Sequence, residues 1–454
     1  MIVSFLLDIA YTAVLGVFAP VIVYRRLRHK RYRTGWAQRF GRLPRRTSHG
    51  PCVWVHAVSL GEVNAAASLA RELIRELPNL ELAISTTTDT GYARAQSLFG
   101  RDHLVFFFPF DFSCVVRRAL DRLRPDLCVF MELEVWPNFT AIAQKRGIPL
   151  VVANGRISPG KGWPRYRRIA PLVRPMFRRL DLVLTQDETY AERFRFLGAR
   201  PDCVQAVGSL KYDTAQIADT VDGADLLARQ LGLDRSVRLL VAGSTGPDEE
   251  AYLLAAFESL TCQAEMGDLR LAIVPRKPER FDEVARLIES RRFAVTRYSR
   301  LKGHPDQTAG PTPVILGDTL GDLRKFYSLA TVIFVGRSLV PMGGSDMIEA
   351  AALGKPVLVG PHTENFSESV AALEEGRGII VVPDASALTD EVSRLLRHPD
   401  DAAVLAGNAR EVIAGRQGAT KRSVDAIIPL LGYQPALSDH SIATPLPIRH
   451  SGRP

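Results

Sequence analysis

The chain has 454 residues, 24% charged and 46% hydrophobic, a globular composition with room for two domains, not that of a disordered chain. A net charge of +9 favours acidic partners such as nucleic acid, anionic lipid or phosphorylated substrates. Five scattered cysteines, at 52, 114, 128, 203 and 262, lack C-x-x-C spacing, which argues against a zinc site or a disulfide framework and fits a reducing compartment.

The N-terminus differs from the rest. Met1 to Tyr24 is mostly apolar with one charge, Asp8, close to the roughly 20 residues that span a bilayer as a helix. Ten Lys/Arg and no acid follow over residues 25–46. Charges after the apolar run do not suit a cleavable signal peptide, and by the positive-inside rule this flank stays in the cytoplasm. The expectation is an anchor over 1–24 and a basic juxtamembrane segment over 25–46, attracting anionic headgroups by about 1 kcal/mol per charge. Asp8 weakens a full span and leaves shallow insertion as the alternative.

Strands and helices then alternate. The apolar stretch Pro51–Val55 precedes a helical pattern over Val63–Leu77, with apolar residues at 63, 66, 69, 70, 73, 74 and 77. Leu82–Ile84, His103–Phe108, Leu127–Met131, Leu150–Ala153 and Leu182–Leu184 read as buried strands. Such alternation implies βαβ units and a parallel sheet. The first domain is expected over 47–213, and the polar stretch 214–235 reads as a linker. A second series follows over 236–432, with strands at Val237–Ala242, Leu269–Val274, Pro313–Leu316, Val332–Val335, Pro356–Val359 and Gly378–Val382. The tail, 433–454, lacks periodicity and is expected to be disordered.

Glu62 is the first candidate for chemistry. It closes the run His56-Ala-Val-Ser-Leu-Gly-Glu62, where a strand hands over to a helix, the edge at which open α/β sheets bind ligands. A carboxylate there can take a proton from an incoming hydroxyl. The competing reading is an S-x-x-E capping box with Ser59. The helix dipole would lower the carboxylate pKa, and only a closed, dry site would raise it again.

In the second half four loops hold the same strand–loop–helix position. Gly243-Ser244-Thr245-Gly246 offers backbone N–H groups to a phosphate. Arg276, after Pro275, suits a bidentate phosphate grip. Gly317–Asp322 and Pro341–Glu349 follow, the latter with paired glycines that permit close backbone approach. Glu349, in a first helical turn, reads as a ribose hydroxyl acceptor or as a simple dipole partner. Each loop alone is ordinary; four at one sheet edge point to a nucleotide cleft.

At these residues the chain resembles the Kdo (3-deoxy-D-manno-octulosonic acid) transferases of lipopolysaccharide synthesis. The markers run in order from the anchor to about residue 430: HAVSLGE (56–62), STTTDTGYARA (85–95), MELEVWPN (131–138), RGIPLVVANGRIS (146–158), LGA (197–199), GSLKYD (208–213), AGST (242–245), VPRKPERF (274–281), LGDTLGDL (316–323), SLVPMGG (338–344) and ALGKPVLVGPHTENF (352–366). The resemblance implies a GT-B fold, two Rossmann-like domains facing a cleft, and an inverting, metal-independent glycosyltransferase without cofactor. The donor would be CMP-Kdo and the acceptor a lipid A precursor, at the cytoplasmic face of the inner membrane. Glu62 matches the family's general base. Pro275, Arg276, Leu320, Gly321, Asp322, Asp346, Met347, Ile348 and Glu349 match its CMP-contacting positions, and Lys211 a basic residue facing acid groups of donor or acceptor.

Residues 155–180 add eight Lys/Arg and no acid, a bilayer-facing stretch or a solvated basic helix. The donor half departs from the family. Ser345-Asp346-Met347 stands where His-Asn-Pro is usual, Gly246 and Lys277 replace histidines, Arg337 replaces a glycine, and Asp322 replaces a glutamate. Asp346 adds negative charge near a phosphate site, which Lys277 or Arg337 would offset. Two other readings are a GT-B transferase with another nucleotide-sugar donor and a membrane-anchored, nucleotide-binding scaffold without turnover. Nucleic acid is not expected as a partner, because the charge gathers beside the anchor and no nucleic-acid module is present.

Overall fold

A computed structural model describes residues 4–13, 16–17 and 34–432, apart from 159, 161 and 235. The expected anchor (1–24) and basic flank (25–46) lie partly outside these residues, and the tail (433–454) wholly so. Among the described residues, no helix is long and apolar enough to cross a membrane. The chain divides into two compact units, Met1–Val207 with Thr420–Pro454, and Gly208–Ala419.

The first unit is built on seven parallel strands: β1 (Cys52–His56), β2 (Glu81–Thr86), β3 (Leu104–Phe107), β4 (Leu127–Met131), β5 (Leu150–Gly155), β6 (Leu182–Thr185) and β7 (Val204–Ala206), in the order β3-β2-β1-β4-β5-β6-β7. Every residue of β1, β4, β5 and β6 is buried, as continuous apolar runs covered on both faces require. Trp54 pairs in register with Cys128 and packs on Phe106 and Phe139, so Cys52 and Cys128 are core residues. The expected first helix forms as α1 (Leu60–Glu76) and buries Val63, Ala66, Leu69, Ala70 and Leu73. Strand order reverses between β1 and β4, and Glu62 stands just past β1. That is the switch point at which such sheets bind ligands.

The second unit repeats the plan with β8 (Leu239–Thr245), β9 (Arg270–Pro275), β10 (Val295–Arg297), β11 (Val314–Leu316), β12 (Val332–Val335), β13 (Val357–Val359) and β14 (Ile380–Val381), in the order β10-β11-β9-β8-β12-β13-β14. Its switch point lies between β8 and β12. The stretch expected as a linker instead contributes a helix, Ala224–Gln230, whose Leu227 is fully buried in this unit's core with Leu231 beside it. Apolar residues at 227 and 231 are one helical turn apart, which the polar composition around them masks. The chain also returns to the first unit after Ala419, where Arg422 donates to the Val207 carbonyl at 2.9 Å.

Candidate active site

Glu62 sits in the first turn of α1, and the capping box is formed. Its Oε2 accepts from the Val58 N–H at 2.9 Å, its Oε1 accepts from the Ser59 hydroxyl at 3.0 Å, and its own N–H donates to Ser59 Oγ at 3.4 Å. The dipole does not set its acidity. Burial pushes the carboxyl up to about 7, against the bonds from Val58 and Ser59 and with help from the negative charges of Glu132 and Glu134. Those two residues follow β4, across the switch point from β1, and Glu132 is in the left-handed region at φ 58°. Glu134 is itself raised, chiefly by burial. The first unit thus gathers three carboxyl groups at the strand ends, and the sequence reading singled out only one. The signal for the others was the M-E-L-E run ending a buried strand.

His56, in the same motif, is fully buried. Its Nδ1 lies 3.1 Å from the Ser85 carbonyl and 3.0 Å from Ser85 Oγ, and its ring stacks on Phe108. Burial drives its pKa to about 3, so it is a neutral packing and orienting group, not a proton carrier near neutrality.

The remaining candidates lie in the second unit, at the C-terminal ends of its strands. Gly243, Ser244 and Thr245 end β8; Pro275 ends β9, with Arg276 next; Asp346, Met347, Ile348 and Glu349 lead into the helix Ile348–Ala352. Tyr327 is the centre of this group. Its buried phenol is raised by desolvation and by the nearby Glu349 and Asp346, and lowered by Arg276 and by the neighbouring Ser244. Asp346 is raised by burial and held back by the Ile348 N–H at 3.0 Å and by Lys211 and Arg276. The structure therefore brings Lys211, Ser244, Arg276, Asp346 and Glu349 together. The cations that offset Asp346 are Lys211 and Arg276, not Lys277 or Arg337 as the sequence suggested; Arg337 instead donates to the Met342 carbonyl at 3.3 Å.

Leu320, Gly321 and Asp322 form a separate arrangement. Leu320 is exposed, and Asp322 takes Lys302 at 2.5 Å, Thr319 at 2.6 Å and Lys325 at 2.9 Å. Burial would raise that carboxyl, but these three donors outweigh it and hold it below the usual range.

In the 243–246 turn one N–H group is already engaged. Gly246 N–H is already given to Glu249 Oε2 at 3.2 Å, and Gly243 is small for another reason: an added Cβ would enter the Tyr327 ring. Glu249 and Glu250 begin the helix Glu249–Thr261 and are fully buried. Glu249 Oε2 also accepts from Arg337 N–H at 2.6 Å, and its Oε1 accepts from Ser338 and Leu339 N–H, both at 3.0 Å. Glu250 accepts from Thr245 Oγ1 at 2.8 Å and from Arg280 Nη1 at 2.6 Å. Two adjacent carboxylates thus pin the loops after β8, β9 and β12. Sequence reasoning missed both, since D-E-E at a helix start looks like a solvated first turn.

Comparison with known proteins now fits this geometry. A family model described as 3-deoxy-D-manno-octulosonic-acid transferase (kdotransferase) matches residues 34–214. The 3-deoxy-D-manno-octulosonic acid transferase of Haemophilus influenzae is 33% identical, with 93% of this chain and 98% of the relative covered. That of Bordetella pertussis is 34% identical, covering 93% and 99%. The chain belongs to the Kdo transferase family. A UDP-GlcNAc 2-epimerase structure from Neisseria meningitidis, 14% identical with TM-score 0.54 over 83% of this chain and all of that one, shares the GT-B fold.

Two departures from the family pattern are coupled in space. Arg337, where the family has glycine, adopts φ 61°, the left-handed region in which glycine costs least. A Cβ on Gly246 would lie 2.6 Å from Met342 Sδ and 3.1 Å from Arg337 Cγ. The space that a histidine at 246 would need is therefore filled by Arg337 and Met342. The paired glycines Gly343 and Gly344 also lie at positive φ, 83° and 80°, so they serve the turn itself.

Proposed function

We propose that this chain is an inverting glycosyltransferase that moves Kdo from CMP-Kdo to a lipid A precursor, at the cytoplasmic face of the inner membrane. Family membership supports Kdo transfer in lipopolysaccharide biosynthesis. The observation that carries the chemistry is Glu62, a carboxyl at the switch point whose pKa of about 7 suits proton transfer near neutrality.

In this reading Glu62 takes the proton of an acceptor hydroxyl as that oxygen attacks the anomeric carbon of Kdo. The bond to the CMP phosphate breaks on the opposite face. Each Glu62 oxygen accepts one hydrogen bond, which leaves each a lone pair for the incoming proton. Lys211 and Arg276 are the cations for the departing phosphate, doing with fixed charges what a divalent ion does elsewhere. Tyr327 and Ser244 set the shape of that subsite, and Glu349 faces the ribose.

The deciding experiment incubates the chain with CMP-Kdo and a lipid A precursor and weighs the lipid by mass spectrometry. A mass gain of one or more Kdo residues is expected. No gain, with gain from another nucleotide sugar, would move the donor assignment to the alternative that Asp346 and Arg337 favour.

A further inference from the structure

The helical residues 4–13 have an inverted amphipathic pattern. Ser4, Leu7, Asp8 and Tyr11, spaced as one helical face, are partly covered; Phe5, Leu6, Ile9, Ala10, Thr12 and Ala13 are exposed. Phe5, Leu6 and Ile9 are 65%, 58% and 51% exposed. Two polar groups of the covered face, Asp8 and Tyr11, are bonded to the rest of the first unit. Asp8 Oδ1 accepts from Ser113 N–H at 2.9 Å and from Asn138 Nδ2 at 3.0 Å, and Oδ2 accepts from Ser113 Oγ at 2.6 Å. Tyr11 donates to Asp111 Oδ2 at 3.1 Å and meets Phe112 edge-on. Asp111 in turn caps the helix Pro137–Lys145 through the N–H groups of Asn138 and Phe139. The one charge of the apolar N-terminus is thus a docking group on a rigid socket.

The same loop receives a second segment. Trp36 and Phe40 pack on Phe110, whose N–H donates to the Arg39 carbonyl at 2.8 Å. Phe40 is 39% exposed, and Arg42 and Arg45 beside it are exposed. Of the ten basic residues at 25–46, Arg39 is buried against Phe107 and Arg46 pairs with Glu81. The others carry charge without a nearby acid in sequence.

We propose that residues 4–13 form an in-plane contact with an anionic bilayer, docked to the protein through Asp8 and Tyr11 and facing the lipid–water interface with Phe5, Leu6 and Ile9, and do not cross the membrane. A soluble surface gains nothing from turning its polar groups inward and its large apolar groups outward; an interfacial helix does. The adjoining cationic run supplies the complement to anionic headgroups. A spanning helix would have to draw Asp8 off Ser113 and Asn138 into hydrocarbon, where carboxylates are disfavoured. The inference rests on the membrane-borne acceptor of the proposed function only for its purpose, and its tests do not read transfer.

Topology separates the two arrangements. A hydrophilic tag bearing one cysteine is placed ahead of Met1 in the full chain, and intact spheroplasts are treated with a membrane-impermeant maleimide. An in-plane helix keeps the tag inside, unlabelled until lysis. A spanning helix with its basic flank inside puts the tag outside, and labelling of intact spheroplasts would overturn the proposal. In the second arm, Phe5→Ser, Leu6→Ser and Ile9→Ser are combined. Flotation with phosphatidylglycerol vesicles should weaken at least tenfold while the thermal melt of the body is unchanged. Unchanged flotation would sink the proposal, as would a lipid-free dimer that the same substitutions dissolve, because the face would then belong to a second copy.

Discussion

Glu62→Gln separates the two roles that Glu62 combines. Glutamine fills the third position of a capping box as glutamate does: its carbonyl can accept from Val58 N–H and its amide can donate to Ser59 Oγ. The substitution therefore spares the cap and removes the charge. The folded-state carboxyl has been pushed from its ordinary 4.5 to about 7, so the folded protein binds this proton more tightly than the unfolded chain does. Stability then falls as pH rises from about 4.5 to 7, and above 7 the full cost of the buried charge, roughly 3 kcal/mol, is present. Glutamine carries no such cost. At pH 8.5 the variant should melt roughly 5–10 °C above the parent, and at pH 4 the two should agree. Transfer, followed by mass spectrometry of the lipid, should drop about 10²- to 10⁴-fold. In the parent, kcat/KM should rise with pH through about 7, because the base works deprotonated. Near-parental turnover in the variant would reduce Glu62 to a cap, and a stability difference that does not change with pH would refute the desolvated carboxylate.

Other outcomes follow from neighbouring groups. Glu134→Gln removes a negative charge that raises Glu62, so the acidic limb of the pH–rate profile should move to lower pH; an unmoved limb would show that the two carboxyls do not interact. Glu249→Gln leaves two of four buried N–H groups facing an amide that cannot accept, a loss of about 2–5 kcal/mol. The variant should melt at lower temperature and bind CMP more weakly by calorimetry, and an unchanged melt would contradict the saturated geometry. Asp346→Asn removes the charge that Lys211 and Arg276 neutralise and should tighten CMP binding severalfold; weaker binding would mean that Asp346 contacts the donor directly.

The two parallel sheets were legible because most of their strands are buried on both faces and are written as continuous apolar runs. β7 and β10 escaped notice for the opposite reason. Each is three residues at a sheet edge, with Gln205 and Ala206 exposed and Val295–Arg297 only half covered. The Glu62 motif and the donor loops were legible as strand-to-helix junctions. The partners of those residues were not, because Lys211 meets Asp346 and Tyr327 meets Ser244 across long sequence distances. Asp8 was read as a blemish in an apolar run, since nothing in its neighbours announces Ser113 and Asn138.

Three glutamates stand in the first turn of a helix that follows a strand, and position alone gives them the same reading. Counting donors separates them. A carboxylate has about four lone-pair sites. Glu249 accepts four backbone N–H groups, two on each oxygen, so it has nothing left to give a ligand and can only hold loops. Glu62 accepts two bonds, one on each oxygen, from the Val58 backbone N–H and the Ser59 hydroxyl, so it is oriented but unsaturated, and its burial makes the remaining lone pairs basic. Glu349 is raised by desolvation and by the negative charge of Asp346 beside it, and in the proposed function it accepts from the ribose hydroxyls. The chemistry open to each carboxylate is set by how many of its lone pairs the backbone has already taken.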